Sequence, residues 1–218
     1  METIVIDYGS GNLRSAANAL ERAGLETGAS AKVTVTGDAS ALDKADRIVL
    51  PGVGAFGDCA DSLRSLPGMI EAMERNVREK NKPFLGICVG MQLMASHGIE
   101  HGQHDGLGWI SGEVRPLDPS DTKLKVPHMG WNVITPTGTK AHPVLAGLEK
   151  AAHAYFVHSY SIICENETDV LATTDHGGQF AAVIGQDNMI GTQFHPEKSQ
   201  AAGLKLLGNF LKWDGGGI

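Results

Sequence analysis

Gly86-Ile87-Cys88-Val89-Gly90 follows the apolar run Pro83-Phe84-Leu85, which places a cysteine where a strand bends sharply into a helix. A Gly-x-nucleophile-x-Gly turn lifts its central side chain above a sheet, and the glycines let neighbouring backbone approach. A helix running on through Met91, Gln92, Leu93 and Met94 would aim free N–H groups at the sulfur and favour thiolate. Taken alone, the pentapeptide fits a buried packing cysteine as well as a nucleophile. Two other segments favour the nucleophile. Gln193-Phe194-His195-Pro196-Glu197 ends a predicted strand, and residues two apart in extended chain share a face, so His195 and Glu197 can address one site. A histidine that takes the thiol proton while a carboxylate holds its other nitrogen is the arrangement of nucleophilic catalysis. Leu50-Pro51-Gly52-Val53-Gly54-Ala55-Phe56-Gly57 is a glycine-rich loop after a strand, suited to turning amides toward an oxyanion. It has neither a Gly-Lys-Ser/Thr ending nor a GxGxxG helix entry, so a phosphate loop is disfavoured.

These segments need a scaffold that brings strand ends together. The first half alternates β-rich runs with helical periods, predicting a doubly wound α/β fold with a mostly parallel central sheet and helices on both faces. Expected strands are Thr3 to Asp7, Lys32 to Thr36, Arg47 to Leu50 and Phe84 to Ile87. Leu13, Ala16, Ala17 and Leu20 fall at helical spacing with Gly24 as the expected C-cap, and Leu66 to Glu79 reads as one amphipathic helix. After Gly106, short runs such as Trp131 to Ile134, Tyr155 to Val157, Val170 to Ala172 and Ala181 to Ile184 predict an additional, partly antiparallel sheet. A strand at Met189 to Gln193 and a helix from Gln200 to Trp213 close a single domain over 1–214, with a flexible tail at 215–218. In such sheets ligands collect beyond the carboxyl ends of the strands, where Cys88 and His195 both fall.

Composition bounds the chemistry. In 218 residues, 42% hydrophobic and 20% charged, there is chain enough for one full core. A net charge of −7 with no basic stretch argues against nucleic acid. No apolar run approaches the roughly 18 to 20 residues that span a bilayer, and the opening Met1-Glu2-Thr3-Ile4 reads as a strand rather than a signal peptide. Three cysteines make no disulfide framework and suit a reducing cytoplasm; Cys59 and Cys164 lack the glycine-flanked turn and read as packing residues. His97, His101 and His104 tempt a metal reading, but Gly98 and Gly102 interrupt the helix that would align them, so neither metal nor cofactor is expected.

In this order the three segments resemble the class I (triad) glutamine amidotransferases. Asp7-Tyr8-Gly9-Ser10-Gly11-Asn12, Pro127-His128-Met129-Gly130-Trp131-Asn132 and Tyr155-Phe156-Val157-His158-Ser159-Tyr160 are similar to segments of the glutaminase subunits of imidazole glycerol phosphate synthases, a likeness running from about residue 2 to 212. The resemblance implies that Cys88 attacks the glutamine side-chain amide, that His195 moves protons and that Glu197 orients it. It implies an oxyanion site from Gly52, Val53 and Val89, and glutamine contacts from Gly54, Gln92, Glu100, Ser159 and Tyr160, with Glu100 facing the ammonium. It also implies a partner, a (β/α)8-barrel cyclase docked as a heterodimer near Asn12, His128, Trp131 and Lys198. That partner would combine the ammonia with phosphoribulosyl-formimino-AICAR phosphate in histidine biosynthesis. The Gly52-Val53 peptide is expected to be misaligned until the loaded partner is present.

Three other readings compete: a glutaminase serving pyridoxal phosphate, anthranilate or carbamoyl phosphate synthesis; a free-standing cysteine hydrolase; and a binding module that keeps the fold without catalysis. The segments at Asp7 to Asn12 and Pro127 to Asn132 disfavour the first. The acid two residues after the histidine, together with Glu100, disfavours the second, and the complete Cys88, His195 and Glu197 set disfavours the third.

Overall fold

The computed structural model describes residues 1–216 apart from 30, 122, 139–141 and 149–151. Of the expected tail at 215–218, the last two positions lie outside the described residues. The central sheet is built from β1 (Glu2–Ile6), β2 (Lys32–Thr36), β3 (Arg47–Gly52), β4 (Phe84–Cys88) and, from the other end of the chain, β9 (Thr135–Pro136), β12 (Val170–Asp175), β13 (Gln179–Gln186) and β14 (Met189–Thr192). Their order is β2-β1-β3-β4-β14-β13-β12-β9. The five strands from β2 to β14 are mutually parallel, and β13, β12 and β9 continue antiparallel. The strand β4, Phe-Leu-Gly-Ile-Cys, is buried along its whole length, as a central parallel strand covered on both faces must be.

The strand order matters for the site. Sequence neighbours β3 and β4 lie side by side, and β14 arrives from far downstream to pair with β4, Thr192 opposite Ile87. The loops leaving all three strands therefore emerge together at one sheet edge, carrying Val53, Cys88 and His195.

Helix α1 (Leu13–Thr27) buries Ala16, Leu20 and Ala23, a stripe spaced four and three residues apart, and packs on β1, β2 and α5 (Gln200–Lys212). It overruns Gly24, the expected cap; Gly28 ends it instead in the left-handed conformation, φ 69°, where a side chain would be strained. The expected helix over 66–79 is also corrected. Helix α2 (Phe56–Ser65) ends before it, Gly68 breaks the chain at φ 70°, and α3 (Met69–Met73) passes into a π-helical turn over Glu74–Glu79.

The second half departs from the single extra sheet expected. Besides the three antiparallel strands added to the central sheet, it forms a pair, β8 (His128–Val133) with β10 (His153–His158). A four-stranded sheet has the order β11-β7-β5-β6, from β11 (Tyr160–Cys164), β7 (Ile110–Pro116), β5 (Ala95–Gly98) and β6 (His104–Asp105). Period-two alternation marks a strand but is blind to which neighbour it will join. Among the described residues no helix is long and apolar enough to cross a membrane.

Candidate active site

Cys88 is the last residue of β4 and sits at φ 55°, ψ −110°, a strained backbone for any residue with a side chain. The flanking glycines are demanded by space. A β-carbon on Gly90 would lie 1.8 Å from the Leu50 carbonyl oxygen, and one on Gly86 would lie 2.6 Å from that of Gly90. The chain can double back tightly only because both are bare. The helix expected after the cysteine is a single turn, α4 (Val89–Gln92), before the backbone leaves for β5. One turn sums little of the dipole that a longer helix would direct at the sulfur.

His195 and Glu197 meet, but not across a strand face: β14 ends at Thr192, and Glu197 lies in a 3-10 turn, Pro196–Lys198, that His195 opens. The imidazole Nδ1 lies 2.8 Å from Glu197 Oε1, and both side chains are only 2% exposed. The His195 backbone is pinned: its N–H donates to the Tyr155 carbonyl, and Ser199 Oγ donates to its own carbonyl. Nε2 of His195 is buried without a hydrogen-bond partner among the described residues, and Cys88 lines the same cavity. Burial disfavours the imidazolium, but the Cys88 sulfur and the Glu197 carboxylate favour it more strongly and lift its pKa to about 9. Asn12, half-buried, reaches Glu197 Oε1 at 3.4 Å and supports the same carboxylate.

A cavity of about 310 Å³ joins Cys88, His195, Val53, Gly54, Val89, Gln92, Glu100, Ser159 and Tyr160. A larger one of about 500 Å³, beside Trp131 and His153, contains no cysteine and no paired imidazole and carboxylate. Within the smaller cavity several groups are already engaged. Glu100 Oε2 accepts from the Phe56 N–H at 2.7 Å, capping α2, whose own N-cap Ala55 offers no side chain for the purpose. The Tyr160 carbonyl accepts from Gln92 Nε2 and from His158 Nδ1, so neither of its lone pairs is free for a ligand.

The expected oxyanion donor Val53 points elsewhere. Its N–H donates to Ser10 Oγ at 3.1 Å, while Ser10 Oγ donates to its carbonyl at 2.5 Å and Cys59 Sγ donates to the same carbonyl at 3.3 Å. The positive φ in this loop falls at Gly54, 103°, rather than at Gly52, which must be glycine for space because a β-carbon would meet Tyr8 Oη at 2.6 Å. Gly52 pairs with Cys88 across β3 and β4.

The residues expected at the surface divide. His128 is buried, 4% exposed, and not interfacial: β8 turns His128 inward and Met129 and Trp131 outward. Trp131 is 48% exposed. Lys198 is exposed, its Nζ 5.8 Å from the centre of the Tyr155 ring. The three spaced histidines diverge, with His97 paired to Glu113 and His104 packed over Gly57. Sequence reasoning misses Gln193, His158 and Ser10 as site residues. Gln193 stands two positions before His195, just past the end of β14; it lies 3.7 Å from Cys88 Sγ and donates to it. Ser10 and His158 reach their partners across 43 and 30 positions and leave no local signal.

Comparison with known proteins agrees with this geometry. The family described as glutamine amidotransferase class-I matches residues 4–213. The chain is 55% identical over 216 residues to the imidazole glycerol phosphate synthase HisH protein of Brucella suis biovar 1, and 53% identical over 213 residues to that of Rhodospirillum rubrum. Each alignment covers 98% of this chain and 99% of the relative. The fold is shared with the crystal structure of a glutamine amidotransferase from Thermotoga maritima, at TM-score 0.62 and 15% identity, covering 90% of this chain and 76% of that one. The chain belongs to the class I glutamine amidotransferases and, among them, to the HisH subunits of imidazole glycerol phosphate synthase.

Proposed function

We propose that this chain hydrolyses L-glutamine at Cys88 and hands the ammonia to a (β/α)8-barrel cyclase bound to it as a heterodimer in the cytoplasm, the unit 1–214 carrying the whole half-reaction. Cys88 Sγ adds to the side-chain carbonyl carbon, giving a tetrahedral oxyanion. His195, protonated at neutral pH, gives its Nε2 proton to the departing nitrogen, and ammonia leaves behind a glutamyl thioester. His195 then takes a proton from water, which adds to the thioester and frees glutamate and Cys88. Glu197 holds Nδ1 throughout and balances the imidazolium charge. The barrel would combine ammonia with phosphoribulosyl-formimino-AICAR phosphate to give imidazole glycerol phosphate and the AICAR nucleotide.

The observation that carries this reading is a buried imidazole–carboxylate pair sharing one cavity with a cysteine on a strained turn. The engaged Val53 amide supports a further part of it, that turnover is slow until that peptide swings its N–H from Ser10 toward the oxyanion. Gly52, Val53 and Val89 would then donate, and Gly54, Gln92, Glu100 and the Ser159–Tyr160 backbone would hold the substrate. Met129, Trp131 and Lys198 offer the partner an exposed face.

The test supplies the assembled synthase with either glutamine or an ammonium salt. Cys88→Ser should abolish the glutamine-driven reaction and leave the ammonium-driven one. Persistence of the first, or loss of both in a complex that still assembles, contradicts the assignment.

A further inference from the structure

A line of hydrogen bonds runs from strand β8 to the nucleophile, and its directions are fixed by chemistry. Tyr160 O can only accept, so His158 Nδ1, 2.9 Å away, carries a proton. In the neutral ring Nε2 is then an acceptor, and His128 Nδ1 donates to it at 3.0 Å. His128 Nε2 must in turn accept, and Asn132 Nδ2 lies 3.1 Å from it. Asn132 is oriented independently, since the same Nδ2 donates to the Asp175 carbonyl at 2.7 Å. From the other side, Gln92 Nε2 donates to Tyr160 O and to Gln193 Oε1, both at 3.0 Å, which leaves the Gln193 amide nitrogen to face Cys88 Sγ. Every donor along the line finds an acceptor, and both imidazoles have the same tautomer.

The surroundings keep that tautomer in place. Burial holds both rings neutral, their pKa values drawn down to about 4. Phe156 stacks on one side of His128 with centroids 4.9 Å apart, and His176 on another at 4.2 Å. His158 faces His128 directly across the β8–β10 ladder and also lines the cavity. A buried network with every member paired positions the groups at its end far better than packing alone.

We propose that His158 and His128 are positioning residues of the glutamine site, which through fixed Nδ1–H tautomers hold the Tyr160 carbonyl and so aim the Gln92 and Gln193 amides at the substrate and the Cys88 sulfur. The inference rests on the glutaminase reading. Neither imidazole takes a proton from the substrate; their effect passes through Tyr160 and falls on glutamine binding.

The experiment measures glutamine kinetics in the assembled synthase. His158→Phe keeps the ring and removes both hydrogen bonds, so KM for glutamine should rise about five- to tenfold with a smaller change in kcat. His158→Asn keeps a donor near the Nδ1 position and should return KM to within about twofold of the native value. A native KM in His158→Phe, or no rescue by His158→Asn, overturns the proposal. Should the Phe variant fail to assemble, judged by failure to co-elute with the barrel partner in size-exclusion chromatography, long-range 15N spectra of the native chain decide. Nδ1–H tautomers on both rings at neutral pH are expected, and an Nε2–H tautomer on either overturns it. Cys88→Ser measured alongside separates the two claims: retained turnover there defeats the glutaminase reading, whereas lost turnover with an unchanged His158→Phe KM defeats only the positioning role.

Discussion

Two loops leave adjacent strands at the same sheet edge, and they are held in opposite ways. The turn at Cys88 is fixed by covalent shape and contact: a positive φ, two glycines with backbone against them, and burial of Val89 to Gln92. The loop at Gly52 to Gly54 is held by side-chain hydrogen bonds from Ser10 and Cys59, and Val53 is 39% exposed. Contacts of the first kind leave no alternative conformation within a few kcal/mol, because a packed core does not deform continuously. Bonds of the second kind are worth about 1 kcal/mol each and can be exchanged for others. The nucleophile is therefore built in, and the donor that must meet its oxyanion is held back by an interaction weak enough to release.

The largest effects belong to the fixed side. His195→Asn removes the proton donor for the leaving ammonia and should lower glutamine turnover on the order of 10⁴-fold, with ammonium-driven synthesis intact. Gly90→Ala forces a β-carbon onto the Leu50 carbonyl and should cost about 3 kcal/mol in denaturant unfolding; a native midpoint would show that the turn is not close-packed. Glu197→Gln should cost about a hundredfold in turnover and also move the pH profile. Because His195 is raised to about 9, its imidazolium is present below that pH and lost above it. The native kcat should accordingly fall as pH rises through about 9, and without the carboxylate that limb should shift toward acid. An unmoved limb would mean that Glu197 does not hold the imidazole charge.

The smallest predicted effect bears on the releasable side. Ser10→Ala deletes the acceptor of the Val53 N–H and one donor to its carbonyl, so basal glutamine turnover by the isolated chain should rise about five- to thirtyfold. A fall, or no change, would mean that Ser10 does not restrain the peptide.

The same contrast explains what can be read from the residues alone. Gly86, Cys88 and Gly90 announce a tight turn by themselves, but a nucleophile only together with His195 and Glu197, since the pentapeptide alone fits a packing cysteine as well. His195 and Glu197 are legible as a pair from their closeness in the chain, although a 3-10 turn rather than strand parity joins them, and the parallel half of the sheet is legible by its alternation of strand and helix. Gly24 misleads because a glycine inside α1 resembles a cap; there it makes room for the Ala29 carbonyl, 2.8 Å from where a β-carbon would stand. His128 is expected at the interface only because the resemblance places its whole segment there, whereas its own inward direction follows from pairing with β10. Ser10 acts across 43 positions and His158 across 30, and such contacts exist only once the strands are in register.

A ready nucleophile beside a withheld donor is tested most directly by one paired measurement. Iodoacetamide alkylation of each cysteine and glutamine turnover are followed in parallel, in the isolated chain and in the assembled, substrate-loaded synthase. Cys59 and Cys164 should react slowly in both, since burial raises both thiols, that of Cys164 to about 12. Cys88 should be alkylated at similar rates in the two states, while glutamine turnover rises by on the order of a hundred- to a thousandfold on assembly, the worth of one oxyanion donor. A Cys88 that stays unreactive until assembly, or an isolated chain that turns over glutamine as fast as the loaded enzyme, would contradict it.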